Sequence, residues 1–368
     1  MTIAEHTNTD ALSPVDDLEQ GHSVIIAARW LLVAAALIFV LYRPHSSTDL
    51  SVGVLSVLAI AALNFWLHTR PLTNRPVEPL WAFMASGADL AVISGLMLMQ
   101  GSLTGQSYVF YYPAIVAYSL VFPTLVSGIL TGAVLFFVLQ TGTTDGMDAR
   151  ILVARVLTLT ATAVIGWRYR RVEEERRNRR AGASSGRGVY GAESARIEAQ
   201  EDVFYGQIVC ITARWCLIAG SIFLTLFQAH DVQAMQRNLI PLLVLVAANF
   251  FLQGRYMMRL PANALLLQVG SAIDLAVITG IVFAGSPDFF VFYFPVVLAY
   301  GLVFVRRTTL MFTGVLAILY TAVCALGPGI HFNGDEETLA MRLVTILGTT
   351  LLGTMYWRIQ RARRLREA

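Results

Sequence analysis

The sequence predicts an all-α membrane protein of about twelve transmembrane helices, arranged as two six-helix repeats that sit the same way up in the bilayer. Three observations predict it. The first is composition: of 368 residues, 56% are hydrophobic and 14% charged, with a mean hydropathy of +0.62, more apolar and less charged than a soluble domain. The second is pattern: nearly uncharged runs of about 18 to 20 residues recur along the chain, and at about 1.5 Å per residue each is long enough to cross a ~30 Å hydrocarbon layer. The third is self-similarity. Ala28-Arg29-Trp30 returns as Ala213-Arg214-Trp215, Asn64-Phe65 as Asn249-Phe250, and Asp89-Leu90-Ala91-Val92-Ile93 as Asp274-Leu275-Ala276-Val277-Ile278, each 185 residues later.

The repeat sets the boundaries. Its register drifts slightly: Tyr108-Val109-Phe110-Tyr111-Tyr112-Pro113 returns 182 residues later as Phe290-Val291-Phe292-Tyr293-Phe294-Pro295, and Arg155 returns as Arg342 at 187. The copies cover 23–171 and 206–364, joined by a charged, flexible linker over 172–205. An acidic tail at 1–22, expected to be disordered, precedes them, and a short tail at 365–368 follows. The first copy divides into apolar spans at 24–42, 50–67, 80–100, 107–123, 124–141 and 151–168. The second divides at 206–228, 238–254, 262–284, 289–305, 308–327 and 339–357. An even number of spans returns the chain to the side it left, so both copies share one orientation.

Charge then orients the bundle. All 27 basic residues are arginine. Arg70, Arg75, Arg255, Arg259, Arg306, Arg307 and the clusters from Arg168 to Arg180 and Arg358 to Arg366 fall on one side; the opposite loops hold Arg43, Arg150 and Arg237. The excess marks the cytoplasmic face, so both termini and the linker are expected there. The tail contains Glu5, Asp10, Asp16, Asp17 and Glu19 and no arginine, unlike a signal peptide. A net charge of +3 spread over helix ends offers no basic face to nucleic acid.

Charged residues inside spans are costly and mark candidate sites. Arg29, Asn64 and Asp89 lie in the inner halves of the first three spans, and Arg214, Asn249 and Asp274 repeat them. An arginine–aspartate pair with the asparagine as third member lowers the desolvation cost of each group. Its role is either helix packing or the handling of a ligand, a proton or a switch. A second constellation opens the fourth span of each copy: Phe110, Tyr111, Tyr112 and Pro113, then Phe292, Tyr293, Phe294 and Pro295. These residues suit an outer-leaflet apolar pocket for a small apolar or lipid-like ligand, and equally an aromatic belt, with the prolines as kinks. Arg155 and Arg342, followed by Thr158, Thr162, Thr345 and Thr349, suit an anionic head group or interfacial snorkelling.

Nothing points to an enzyme, a metal or a cofactor. Cys210, Cys216 and Cys324 lack CxxC spacing, the histidines His45, His68, His230 and His331 do not pair at helical spacing, and no GxSxG, HExxH or Walker A motif occurs.

The repeated order of Arg-Trp, Asn, Asp-Leu, a Gly-Ser loop, Phe-Tyr-aromatic-Pro and a final helix running into Arg/Glu-rich sequence resembles the six-helix membrane sensor modules of bacterial histidine kinases and class III nucleotide cyclases. The resemblance implies a multi-pass protein of the bacterial cytoplasmic membrane, whose sixth helix conveys its state through a segment matching Arg170 to Arg180. One redox-responsive branch of the kinases binds quinone through Gly-Gly…Asn-Pro-Phe. Gly101-Ser102 and Gly285-Ser286-Pro287 stand at that place without Asn-Pro-Phe, so no quinone is expected. No kinase or cyclase domain follows within the 368 residues. The expectation is a sensor or receptor-like module, doubled into an internal pseudo-dimer and signalling to a separate cytoplasmic protein. The alternatives are a secondary transporter with 6+6 parallel repeats and a membrane scaffold.

Overall fold

Long apolar runs broken only by short Gly-, Pro- and Asp-containing segments leave the backbone one way to satisfy its own polar groups in lipid, which is helix. The computed structural model describes residues 14–42, 47–72, 79–99, 107–183, 191–228, 232–260, 263–284, 287–326 and 336–367, and among these it contains helices and no strand. The helices are α1 Pro14–Tyr42, α2 Ser47–Leu72, α3 Pro79–Met99, α4 Tyr111–Val121, α5 Thr124–Thr144 and α6 Ala149–Ala183. They continue as α7 Gly191–Gln228, α8 Val232–Met257, α9 Ala264–Ala284, α10 Tyr293–Val303, α11 Arg306–Leu326 and α12 Glu336–Glu367. Single 3₁₀ segments, Ser107–Phe110 and Pro287–Phe292, lead into α4 and α10.

The protein is embedded in a membrane. Seven described helices are long and apolar enough to cross one, and five shorter apolar stretches accompany them. Large apolar side chains face outward: Leu55, Leu58 and Phe65 on α2, Leu80 and Met84 on α3, Leu125 and Phe136 on α5, Leu243 and Phe250 on α8, Leu265 on α9, Ile318 on α11. Charged groups are meanwhile buried, Arg29, Asp89, Arg214 and Asp274 among them. Such an exterior is stable only against lipid tails.

The centre of the bundle departs from the span pattern. Residues 107–123 do not form one membrane-length helix. They form the 3₁₀ segment and the 11-residue α4, every residue of which is buried. α10 is its counterpart, also 11 residues long and buried through Leu302. Each α-helical part is about 16 Å long. α4 packs on α1, α6 and α12, and α10 packs on α6, α7 and α12. Small residues permit the closest approaches: a Cβ added at Gly301 on α10 would lie 2.8 Å from the Thr350 carbonyl oxygen on α12.

The helix ends also differ from the expected boundaries. α1 begins at Pro14, inside the segment assigned to the disordered tail; residues 1–13 lie outside the described set. The linker is helical on both sides, since α6 runs on to Ala183 and α7 starts at Gly191. Residues 184–190, Arg75, His45, His230, His331 and the Gly101-Ser102 and Gly285-Ser286 loops lie outside the described residues.

Candidate intramembrane ion-pair site

α1 and α3 bring Arg29 and Asp89 together: the Arg29 Nε donates to Asp89 Oδ2 at 2.7 Å, with both residues buried. α7 and α9 do the same with Arg214 and Asp274, but through two bonds, Nε to Oδ1 at 2.6 Å and Nη2 to Oδ2 at 2.8 Å. Both pairs span 60 residues of sequence. Charge-assisted bonds of this kind are roughly twice as strong as neutral ones. Within a low-dielectric interior each charge depends on its partner to remain there.

The asparagines sit elsewhere. Asn64 donates through Nδ2 to the Ile26 carbonyl at 3.4 Å, and Asn249 to the Ile211 carbonyl at 3.3 Å. They fasten α2 to α1 and α8 to α7 rather than joining the ion pairs. One turn below, His22 contacts the Leu67 carbonyl at 3.3 Å and Gln207 donates to that of Leu252 at 2.8 Å. His22 escapes sequence reasoning because it falls in the segment assigned to the tail; the 185-residue offset to Gln207 is the signal that finds it.

The aromatic-proline segments are internal. Tyr112 stacks on Phe294 with ring centroids 3.9 Å apart, and Tyr108 lies 6.5 Å from Phe290. Tyr111 bonds Ser94 at 2.8 Å, Tyr293 bonds Thr279 at 3.0 Å, and Tyr112 bonds Thr158 at 2.6 Å. Their rings therefore fill the space between helices instead of forming a belt at the lipid surface. Pro113 and Pro295 occupy the third position of α4 and α10, just past the junction with the 3₁₀ lead-in, where the missing N–H falls between the two kinds of helix. Phe110 and Pro113 do line a cavity of about 20 Å³ together with Ile25, Leu32, Ala114 and the pair Arg29–Asp89. That volume holds about one water molecule.

Arg155 and Arg342 are buried, not snorkelling. Arg155 lies 3.6 Å from the Tyr108 ring centroid; Arg342 lies 4.2 Å from that of Phe290 and donates to the Tyr320 hydroxyl at 2.9 Å. Cation–π contact replaces part of the lost hydration.

A second charged site lies at the arginine-rich end, where α6, α7 and α12 meet. Glu173, 2% exposed, accepts from Arg364 Nη1 at 2.9 and 2.8 Å and from Arg176 Nη1 at 3.1 Å. Asp202 accepts from Arg176 Nη2 and Arg364 Nη2, each at 2.9 Å. Arg177 donates to Gln360 at 2.7 Å, and Tyr169 meets Tyr356 edge-on at 5.9 Å. The sequence marks Arg170 to Arg180 as a charged stretch after the sixth span but does not reveal this network, whose members are up to 191 residues apart. At the same end Arg170 donates to the Phe122 carbonyl, capping α4.

No protein-family model matches the chain, and no curated protein or solved structure is similar to it.

Proposed function

We propose that the chain is a membrane-embedded sensor or receptor-like module, an internal pseudo-dimer of two parallel six-helix repeats that signals to a separate cytoplasmic protein. The observation that carries this reading is a reciprocal contact at the arginine-rich end. Arg364, at the end of the second copy, grips Glu173 on the part of α6 that runs on past the first, while Arg177 on the same extension, at the position matching Arg364, donates to Gln360 of the second, at the position matching Glu173. Exchange of equivalent contacts is what a two-fold interface requires. Tyr112 on Phe294 and Tyr169 against Tyr356, each a pair of matching positions, support an axis running along the membrane normal.

On this reading the bundle has twelve spans, with both termini and the linker in the bacterial cytoplasm. The charged ends of α6 and α12 form the output, because a relative shift of the two copies must break or remake the Glu173–Arg364 contact. A transporter needs a solute path between its halves, and the stacked rings of Tyr112 and Phe294 occupy that space.

The test is crosslinking in cells from a photoreactive residue at Asn178 or Arg179, both exposed on α6. The expected capture is one cytoplasmic enzyme or regulator, lost in Glu173→Gln and retained in a neutral surface variant. Recovery of this chain alone would count against signalling.

A further inference from the structure

We propose that the two intramembrane ion pairs are functionally unequal: Arg29–Asp89 is an open site that holds one neutral hydrogen-bond acceptor the size of water, and Arg214–Asp274 is a closed clamp. The inference stands on pair geometry and holds whether or not the chain signals. In the first copy the guanidinium reaches Asp89 through Nε alone; Nη1 and Nη2 are buried without a hydrogen-bond partner. In the second, Nη2 is engaged as well and only Nη1 lacks one. Arg29 is 2% exposed, so solvent at the protein surface does not serve those donors. Arg29 and Asp89 both line the cavity of about 20 Å³. A water needs roughly 10 to 15 Å³ of such space.

Two exchanges between the copies account for the difference. At Gly270 on α9 an added Cβ would lie 2.7 Å from Arg214 Nη2. The matching residue on α3 is Ala85, which carries that Cβ. A methyl group there denies Arg29 the orientation that Arg214 adopts. The cavity wall differs too: Ala114 on α4 lines it, and Val296 stands at the matching position on α10. The two additional methyl groups of valine fill space that alanine leaves empty.

Charge selects the occupant. Arg29 and Asp89 cancel, so an anion would bring an unbalanced buried charge costing several kcal/mol. A neutral oxygen satisfies the free N–H groups at no such cost. The remaining polar group on the wall, Tyr118, already donates to the Ser86 carbonyl at 3.0 Å.

Openness has a chemical readout. Dicyclohexylcarbodiimide dissolves in lipid and adds to a carboxylic acid. The acid proton passes to one carbodiimide nitrogen, the carboxyl oxygen bonds the central carbon, and the O-acylisourea rearranges to a stable N-acylurea with no atom lost. Asp89 must release one bond to the guanidinium to react, and Asp274 two. The protein in native membranes is treated with the reagent and both sites are followed by mass spectrometry. The expected result is labelling of Asp89 roughly ten-fold or more faster than Asp274, the weight of one charge-assisted bond. Gly270→Ala should raise the Asp274 rate, and Ala85→Gly with Ala114→Val should lower that of Asp89. The untouched pair in each variant must label as in the wild type, which certifies the fold. A density map that resolves water should show one at Arg29 and none at Arg214. Equal rates in the wild type, no labelling at Asp89, or rates indifferent to these exchanges would overturn the proposal.

Discussion

Replacing Glu173 by Gln removes one negative charge from the arginine-rich end while preserving shape. The wild-type carboxylate accepts from Arg364 at 2.9 and 2.8 Å and from Arg176 at 3.1 Å. Each arginine also reaches Asp202 at 2.9 Å, and Arg176 lies 3.6 Å from the half-exposed Glu201 as well. In Glu173→Gln the two guanidinium groups keep Asp202, and Arg176 keeps Glu201, but the most deeply buried carboxylate of the network is gone. Removing one partner of a buried pair costs about 3 to 5 kcal/mol. Steric strain does not contribute, since Gln360 already occupies the matching position and takes Arg177. Removing Arg364 as well, in Glu173→Gln/Arg364→Gln, should restore most of the loss, because the surplus charge disappears with its partner. The assay is denaturant unfolding of the protein in lipid nanodiscs for the wild type, both single variants and the double, at low and at high salt. Burial predicts that the coupling survives high salt. A loss below about 1 kcal/mol, as for an exposed pair, or a double variant equal to the sum of the singles would refute the reasoning.

Other outcomes follow from the same geometry. Tyr112→Phe keeps the stack on Phe294 and loses the bond to Thr158, so it should cost about 0.5 to 1.5 kcal/mol, whereas Tyr112→Ala should cost about 3 to 5 by the same unfolding measurement. Gly301→Val should destabilise by at least about 1 to 3 kcal/mol, because even its Cβ falls 2.8 Å from the Thr350 carbonyl; thermal melting of the purified protein checks this. A cysteine placed in residues 184–190 should react with a membrane-impermeant maleimide in inside-out vesicles and not in intact cells. Labelling in intact cells would reverse the orientation.

Much of the architecture was legible in the chain. Apolar runs announced helices, and the 185-residue offset paired Arg29 with Arg214 and Asp89 with Asp274. The meeting of Arg29 and Asp89 could be argued from cost alone, since a lone charge in lipid seeks its opposite. The asparagines misled that argument: an amide is content with any carbonyl, and Ile26 and Ile211 were nearer. The prolines misled it in a different way. A proline's meaning depends on its place in the helix, and the 3₁₀ lead-in that puts Pro113 in the first turn leaves no mark in composition.

Sequence by itself determined that this is an all-helical membrane protein with doubled polar positions, because bilayer thickness and backbone hydrogen bonding act on each segment separately. Only the tertiary structure decided which helices lie at the centre. α4 and α10, buried on nearly every face, carry no stripe to distinguish inside from outside, and their apolar surfaces read like those of helices facing lipid. It likewise decided that Glu173 is buried between Arg176 and Arg364. Charge selects its partner by proximity in space, and nothing local in the chain records that the ends of α6 and α12 meet.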